Sequence, residues 1–303
     1  MAELKIYSIS GCVSTVEEPT AVTVGVFDGV HRGHLALLTR LSTLHSPLSS
    51  LVVTLTSHPS FILGRRDSEY WLDDQDEHLN LLFEAGVKYV AVLPFTKEVA
   101  QMTACEMARW MYAHMNMRAL LLGYDSRFGS KQNDDFDRLP QLASELGIDL
   151  HRGEPFLVDD QPISSSRIRE SLLIGNVEET ASLLGRPYSI TGKVLHGRGI
   201  GHILGFPTAN ISLKVTRKML PKEGVYTVRI GNHIGMANLG AIPTFGIEKP
   251  ALEVHLLDFD GDLYNQTVEV QFVHRLRDIV RFDSPEALQH QLQRDLEQIK
   301  QWS

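Results

Sequence analysis

Short apolar runs alternate with amphipathic stretches through the first half of the chain. A β-branched run at 21–26 ends in a glycine-rich turn, and the stretch 33–44 then places Leu37, Leu38 and Leu41 on one helical face. The same order recurs further on, with strands predicted at 51–55, 89–94 and 120–123 and helices at 77–85 and 104–115. Strands that alternate with helices predict an α/β doubly wound parallel sheet.

The second half of the sequence has a different pattern of apolar and turn residues. A helix predicted at 170–184 is interrupted by Gly185-Arg186-Pro187. Short β-rich runs separated by turn residues follow at 190–195, 225–230, 235–237, 252–257 and 267–272. This pattern favours an antiparallel β-barrel or sandwich.

The chain ends in a predicted amphipathic helix at 284–301. Ser284 is its expected N-cap, and one face carries Leu288, Leu292, Leu296 and Ile299. Because 303 residues exceed one ordinary core, we expect two domains, 1–186 and 187–303.

Composition narrows the possible partners and compartment. The net charge of −8 disfavours nucleic-acid partners, which usually meet a basic surface, but it leaves small nucleotides possible. Cys12 and Cys105 are the only cysteines and form no Cys-x-x-Cys motif. The sequence shows neither a signal peptide nor about 18 consecutive apolar residues. We therefore expect a cytoplasmic protein with small-molecule substrates and no membrane partner.

Two polar segments of the first half are candidates for phosphate binding. The segment 27–34 joins a strand to a helix and carries His31 and His34, while Gly33 leaves room for a triphosphate near the backbone. The segment 163–169 places three serines before two arginines at a helix start. Alone, each has a plain structural explanation, as capping histidines or as a serine N-cap. Their combination around a parallel sheet favours a phosphate-handling site.

These motifs resemble the HxGH and ISSTxxR motifs of the nucleotidyltransferase superfamily. The segments 23–38, 54–63, 86–104, 123–129 and 163–188 are similar to the bacterial bifunctional riboflavin kinase/FAD synthetase family. The resemblance implies a nucleotidyltransferase domain that transfers AMP from ATP to FMN. It also implies site roles, with His31, His34 and Arg169 as catalytic residues and ATP or flavin contacts from Gly25, Phe27, Gly29, Asp125, Ser164, Ser165 and Ser166.

A second candidate site lies in the barrel half. Gly192, Gly197 and Gly201 allow backbone amides to approach a nucleotide, and Pro207 precedes Thr208 and Asn210, which share one side of an extended segment. Such a pair is more often a turn than a metal site. The resemblance to the riboflavin kinase domain implies that Thr208 and Asn210 meet Mg²⁺-ATP and that Glu253 is the catalytic base. The implied ligands are Mg²⁺, ATP, riboflavin, FMN and FAD.

Several positions depart from the family pattern. Ser126 stands where an aromatic is usual, Ser166 replaces threonine, and the kinase half carries His202, Ile242 and Ile279 at usually polar positions. The three departures in the kinase half keep open a single-activity FAD synthetase whose barrel only binds flavin. A non-catalytic flavin sensor or RNA-binding regulator is a third reading, which the acidic charge and the two phosphate motifs disfavour.

Overall fold

The structure is a computed structural model. It describes residues 3–6, 16–44, 47–56, 70–126, 128–130, 134–196, 205–213, 217–244 and 247–302, with only the backbone described for 3–6, 241–250 and 302. The chain divides into two compact units, Met1–Ser165 and Ser166–Ser303. Within the described ranges, no helix is long and apolar enough to cross a lipid bilayer.

The first unit is built on a parallel sheet of six strands. In chain order these are β1 (Glu3–Ile6), β2 (Thr20–Val24), β3 (Ser49–Leu55), β4 (Tyr89–Leu93), β5 (Met117–Leu122) and β6 (Asp149–Arg152). Their spatial order is β1-β4-β3-β2-β5-β6, with every neighbouring pair parallel. The chain leaves β2 toward β3 and later returns to its other side as β5. Ligands of such sheets bind where the strand order reverses, beyond the carboxyl ends of β2 and β5.

Helices cover both faces of this sheet. They are α1 (Arg32–Leu44), α2 (Gln75–Glu84), α3 (Lys97–Gln101), α4 (Ala104–His114) and α5 (Leu139–Leu146). Alternate residues of β3 face opposite sides, so Leu51 and Val53 join one apolar cluster with α4 and α5, while Val52 joins another with α1 and α2. A hairpin of β7 (Leu157–Val158) and β8 (Gln161–Pro162) follows. The predicted doubly wound α/β sheet is confirmed.

The second unit is a closed antiparallel barrel with helices at both ends of its chain segment. The barrel order is β10-β13-β12-β11-β14-β9, so the predicted β-barrel is confirmed. Its elements are α6 (Ser165–Ile174), which begins one residue before the unit boundary, α7 (Val177–Leu184), β9 (Tyr188–Leu195), β10 (Ala209–Ser212), β11 (Gly224–Ile230), β12 (His233–Thr244), β13 (Ile247–Leu256), β14 (Thr267–Arg277) and α8 (Pro285–Ile299).

The C-terminal helix α8 is held to the barrel by apolar packing and one ion pair. Its N-cap is Ser284, as predicted, and Ile299 is fully buried in a cluster with barrel residues. The buried Asp295 carboxylate accepts hydrogen bonds from Nε and Nη2 of Arg277 on β14, at 3.0 and 2.7 Å. A planar guanidinium facing a carboxylate in this way fixes orientation as well as distance.

The helix predicted at 170–184 is in fact two helices, α6 and α7. Gly175 breaks it, because its φ of +82° is a left-handed conformation that glycine adopts without strain. Asn176 then caps α7 by accepting a hydrogen bond from the Glu179 amide at 3.1 Å. A side chain at position 175 would meet Arg275 at 2.5 Å, so glycine also permits the close approach of this turn to the barrel.

Both helices pack on the barrel. The Lys222 amide donates to the Leu172 carbonyl at 2.9 Å, Glu178 pairs with His274, and α7 lies against β9 and β14. The compact unit therefore begins near Ser166. A functional boundary near Arg186 stays a prediction, which truncation tests.

We expect a fragment of residues 166–303 to be more stable than one of residues 187–303. The shorter fragment lacks the buried side chains Leu172, Leu183 and Leu184, and each buried leucine contributes about 1.5–3 kcal/mol. Urea unfolding followed by circular dichroism should therefore give a loss of about 3 kcal/mol or more. Equal unfolding free energies would show that the barrel does not depend on α6 and α7.

Candidate active sites

The turn between β2 and α1 has an unusual backbone. Phe27 and Val30 have φ values of +53° and +33°, and Gly29 has +81°. Non-glycine residues rarely adopt this region, and a β-branched residue such as Val30 does so least easily. Both strained side chains are buried, so surrounding structure must hold the turn in place.

Two glycines of this segment make room for rings. A side chain at position 25 would lie 3.0 Å from the Phe27 ring, and one at position 33 would lie 3.2 Å from Nδ1 of His31. The glycines therefore let Phe27 and His31 fold back over the backbone. The prediction that Gly25, Phe27 and Gly29 shape a ligand pocket stays untested, but the three residues do form one compact turn.

The structure brings His31 and His34 together. Their rings stack with centroids 3.5 Å apart, and the His34 ring meets Phe27 edge to face at 5.2 Å. His31 also caps α1, because its Nδ1 accepts a hydrogen bond from the His34 amide at 3.3 Å. Accepting at Nδ1 means that a neutral His31 ring carries its hydrogen on Nε2, which is thereby a donor.

The electrostatics of His34 keep its imidazole neutral. Burial, followed by the charges of His31 and His78, lowers the pKa of His34 well below its usual value. Its Nδ1 is shielded from solvent and has no hydrogen-bond partner within the described part of the chain. An unsatisfied buried ring nitrogen beside a helix N-terminus leaves a polar group available for a ligand.

The other predicted residues of the first site are distributed over both units. Ser164 is partly buried, and Asp125 is exposed beyond the end of β5. The Ser165 hydroxyl donates to the Asp28 carbonyl at 3.0 Å, so it fastens the strained turn. Ser166 and Arg169 belong to the second unit, where Arg169 is buried on α6.

Sequence reasoning missed three buried polar residues beneath the turn. His78 on α2 faces Asp73 at 3.1 Å through Nδ1 and Thr54 on β3 at 3.2 Å through Nε2. All three residues are buried. The available signal was the helical spacing of α2, since His78 stands four residues before the buried Leu82 and thus shares its inward face.

In the barrel, Asn210 and Glu253 are direct cross-strand neighbours. Asn210 of β10 lies opposite Glu253 of β13, and Asn238 of β12 lies opposite Glu253 on the other side. Opposite residues of antiparallel strands share a face. The buried neighbours Ile211 and Leu252 point the other way. The three polar side chains therefore form one row on the outer surface of the barrel, and Asn238 is a member that sequence reasoning missed.

A cavity of about 360 Å³ opens beside Thr208. Pro207 and Thr208 line it together with the loop that follows β13, including Phe259, Asp260, Asp262 and Tyr264. The Pro207 carbonyl is tied to Nδ1 of His255 at 2.8 Å, which fixes this side of the cavity. The cavity combines aromatic walls with carboxylate and hydroxyl oxygens.

Of the three glycines predicted for the barrel site, the structure describes one. Gly192 is buried, and a side chain there would lie 2.5 Å from the Ser212 carbonyl oxygen. The structure thus gives Gly192 a packing role between β9 and β10, and nucleotide contact stays a prediction. Gly197, Gly201 and His202 lie outside the described residues.

The remaining departures from the family pattern are only partly visible. Of Ile242 only the backbone is described. Ile279 is exposed, with its Cδ1 against Gly240.

Two family models match the chain, one described as FAD synthetase over residues 13–167 and one described as riboflavin kinase over residues 184–303. A protein of Haemophilus influenzae is 35% identical over 291 residues, which cover 92% of this chain and 93% of the relative. One of Escherichia coli K12 is 35% identical over 287 residues, covering 92% and 91%. Both are named bifunctional riboflavin kinase/FMN adenylyltransferase.

This chain belongs to the bifunctional riboflavin kinase/FMN adenylyltransferase family. It carries both transferase domains, which confirms the family predicted from the motifs. A solved structure from Streptococcus pneumoniae, described as a macrolide-efflux protein, covers 98% of this chain and 99% of its own with 32% identity and a TM-score of 0.86. The two-domain fold is thus shared over whole chains.

We expect Gly192→Ala to destabilise the barrel without a specific effect on nucleotide affinity. The added methyl group would lie 2.5 Å from the Ser212 carbonyl oxygen, and overpacking of this kind costs about 1–3 kcal/mol. Urea unfolding and the KM for ATP should be measured together, with the exposed neighbour Lys193→Ala as control. A stable variant with a raised KM would instead place Gly192 at the nucleotide.

Proposed function

We propose that the chain phosphorylates riboflavin with ATP to give FMN, and adenylylates FMN with ATP to give FAD and pyrophosphate. The observation that carries the proposal is that the matched FAD synthetase region holds a histidine pair at a helix N-terminus, while the matched riboflavin kinase region holds a hydroxyl that lines a cavity and an amide paired across strands with a carboxylate. Each reaction thus has its own set of residues.

In the adenylylation step, an oxygen of the FMN phosphate attacks the α-phosphorus of ATP. The bond from that phosphorus to the bridging oxygen breaks, and pyrophosphate leaves with the electron pair. No covalent enzyme intermediate is needed, so the protein acts by positioning and by stabilising charge. His31 suits this role because its Nε2 is a donor at the N-terminus of α1, where backbone amides also favour anions.

The other groups of this site complete the proposal. His34 offers a second, neutral ring that stacks on the first and meets Phe27. The hydroxyl of Ser164 supplies a donor for the phosphates, while Ser166 and Arg169 keep only the phosphate-binding role that the sequence motif implies. Ser165 acts by holding the turn through its hydrogen bond to Asp28, and Asp125 lies exposed just beyond the carboxyl end of β5.

In the kinase step, Glu253 accepts the proton of the terminal ribityl hydroxyl. The freed oxygen attacks the γ-phosphorus of ATP, and ADP leaves. Glu253 suits this role because it is half-buried and lies directly opposite Asn210. Proton transfer to a positioned base of this kind contributes about 10²- to 10⁴-fold to the rate.

The residues around Thr208 suit Mg²⁺. Among the described residues no three histidine, cysteine or acidic side chains cluster as a metal site. The hydroxyl of Thr208 and the carboxylates of Asp260 and Asp262 line one cavity, and such oxygen ligands match a hard cation that is held largely by substrate phosphates. When bound there, Mg²⁺ would neutralise phosphate charge, and Thr208 and Asn210 would hold it.

Cytoplasmic location and the absence of nucleic-acid and membrane partners belong to the same proposal. The proposed substrates are small molecules, and the acidic chain does not attract polyanions. The proposal makes no use of a particular oligomeric state.

The deciding experiment separates the flavins that the purified chain forms. Riboflavin with Mg²⁺ and ATP should give FMN first and then FAD, as followed by chromatography with fluorescence detection. FAD made from supplied FMN, but no FMN made from riboflavin, would establish the single-activity alternative. No FAD from either oxidised or reduced FMN would reject the adenylylation half of the proposal.

We expect His31→Ala and His34→Ala to lower kcat for FAD formation by about 10²-fold or more. A loss of this size is typical when one hydrogen-bond donor to the charge that develops in the transition state is removed. Riboflavin phosphorylation by the same preparations should be unchanged, and His290→Gln, an exposed change on α8, is the control. Wild-type FAD formation in both alanine variants would leave the histidines as capping residues only.

Glu253→Gln should abolish most FMN formation. Glutamine keeps the size of the side chain but cannot accept the ribityl proton, so the expected loss in kcat is about 10²-fold or more. Riboflavin binding, measured by quenching of flavin fluorescence, and FAD formation from FMN should persist. The matched control is Glu269→Gln, an exposed change on β14. A variant that phosphorylates riboflavin at the wild-type rate would show that another group is the base.

A further inference from the structure

Three buried polar residues outside the catalytic motifs form a hydrogen-bonded chain beneath the β2-α1 turn. Thr54 comes from β3, Asp73 from the segment before α2, and His78 from α2. Oγ1 of Thr54 lies 3.2 Å from Nε2 of His78, and Oδ2 of Asp73 lies 3.1 Å from Nδ1 of the same ring. Burying three polar side chains together is costly unless they bond one another and their surroundings. We call these three residues the support triad.

Both ends of the support triad reach the backbone of the strained turn. The Thr54 hydroxyl donates to the Val26 carbonyl at 3.2 Å, and Oδ2 of Asp73 accepts from the Gly29 amide at 3.1 Å. The turn also contributes a hydrogen bond, in which the Asp28 side chain accepts from the Leu72 amide at 2.8 Å. The left-handed residues Phe27 and Val30 stand beside these anchored positions.

The hydrogen atoms of the support triad can be counted. The single hydroxyl hydrogen of Thr54 goes to Val26, so its oxygen receives a hydrogen from Nε2 of His78. Nδ1 of His78 faces a carboxylate oxygen, which also only accepts. The His78 ring therefore bridges Thr54 and Asp73 through its two nitrogens. Removing any one of the three side chains would leave a buried polar partner unmatched.

The support triad also affects the pKa values of neighbouring groups. Burial by itself would raise the pKa of Asp73, but hydrogen bonding with His78, the charge of His78, and hydrogen bonds with Asp28 and Gly29 together lower it. His78 also contributes, after burial and His31, to the lowered pKa of His34. The support triad thus bears on the catalytic histidines electrostatically as well as through the backbone.

We propose that Thr54, Asp73 and His78 are positioning residues for adenylyl transfer, which hold the turn and thereby the stacked rings of His31 and His34 in their working geometry. The inference rests on the proposed adenylylation. None of the three residues needs to touch a substrate. A displacement of about 1 Å at a reacting group costs about 10²-fold in rate, so a loosened turn should lower turnover more than substrate affinity.

The test uses the full-length chain and measures kcat and KM for FAD formation at 25 °C. Asp73→Asn and His78→Gln each remove one member of the Asp73–His78 contact, and Thr54→Val removes only the hydroxyl. We expect kcat to fall about 10- to 100-fold in these variants while the KM values for ATP and FMN change less than about 3-fold. Thr54→Ser restores the hydroxyl and should recover most of kcat.

A matched control is available on the neighbouring strand. Thr23 of β2 is fully buried, and its hydroxyl has no hydrogen-bond partner within the described ranges. Thr23→Val makes the same chemical change as Thr54→Val without loss of a hydrogen bond, so it should keep the wild-type kcat. Riboflavin phosphorylation in every sample serves as a check on enzyme concentration.

The outcomes separate the inference from the function on which it rests. If the wild-type chain makes no FAD, the proposed adenylylation fails and the positioning role fails with it. If the wild type is active and folded Asp73→Asn and His78→Gln match its kcat, only the inference is overturned. Should those two variants not fold, the threonine pair decides, because equal kcat values for Thr54→Val and Thr54→Ser would also reject it.

Discussion

The strained turn between β2 and α1 is the constraint on which the first site depends. A β-branched residue and an aromatic residue both sit in the left-handed region, at a cost of roughly 1–3 kcal/mol each. The surroundings offset that cost with bonds from β3, from the segment before α2, and from Ser165. When the turn is held in this conformation, the rings of His31 and His34 stack at the start of α1. The geometry of the site therefore depends on these tertiary contacts, and the sequence of the turn alone would not maintain it.

The barrel reaches its arrangement by a different principle. There the antiparallel register does the positioning, because Asn210, Glu253 and Asn238 are placed side by side by strand pairing. The apolar residues between them close the interior of the barrel, so the polar row faces outward. A one-residue slip of β13 would turn Glu253 inward, which ties the proposed chemistry directly to the register.

The sequence predicted what depends on local periodicity. The strands β2, β3 and β4 were predicted because they are short, nearly continuous apolar runs, and the helix α1 because its leucines recur at helical spacing. The edge strand β6 was missed, since Asp149–Arg152 is mostly polar, and β10 was missed because Ile211 is its only buried residue. The split of the predicted 170–184 helix followed from Gly175, whose backbone conformation no apolar pattern reveals. The support triad joins residues from β3 and α2 that only the folded chain brings together.

The bond from the Ser165 hydroxyl to the Asp28 carbonyl spans 137 residues of sequence. During synthesis from the N-terminus, the turn at Asp28 is among the first parts of the chain to emerge, while its fastening serine arrives only as the first unit is completed. The sheet can pair its early strands before then, but the adenylylation site cannot reach its final form. The nascent chain should therefore carry an immature site until translation has passed into the helices of the barrel unit.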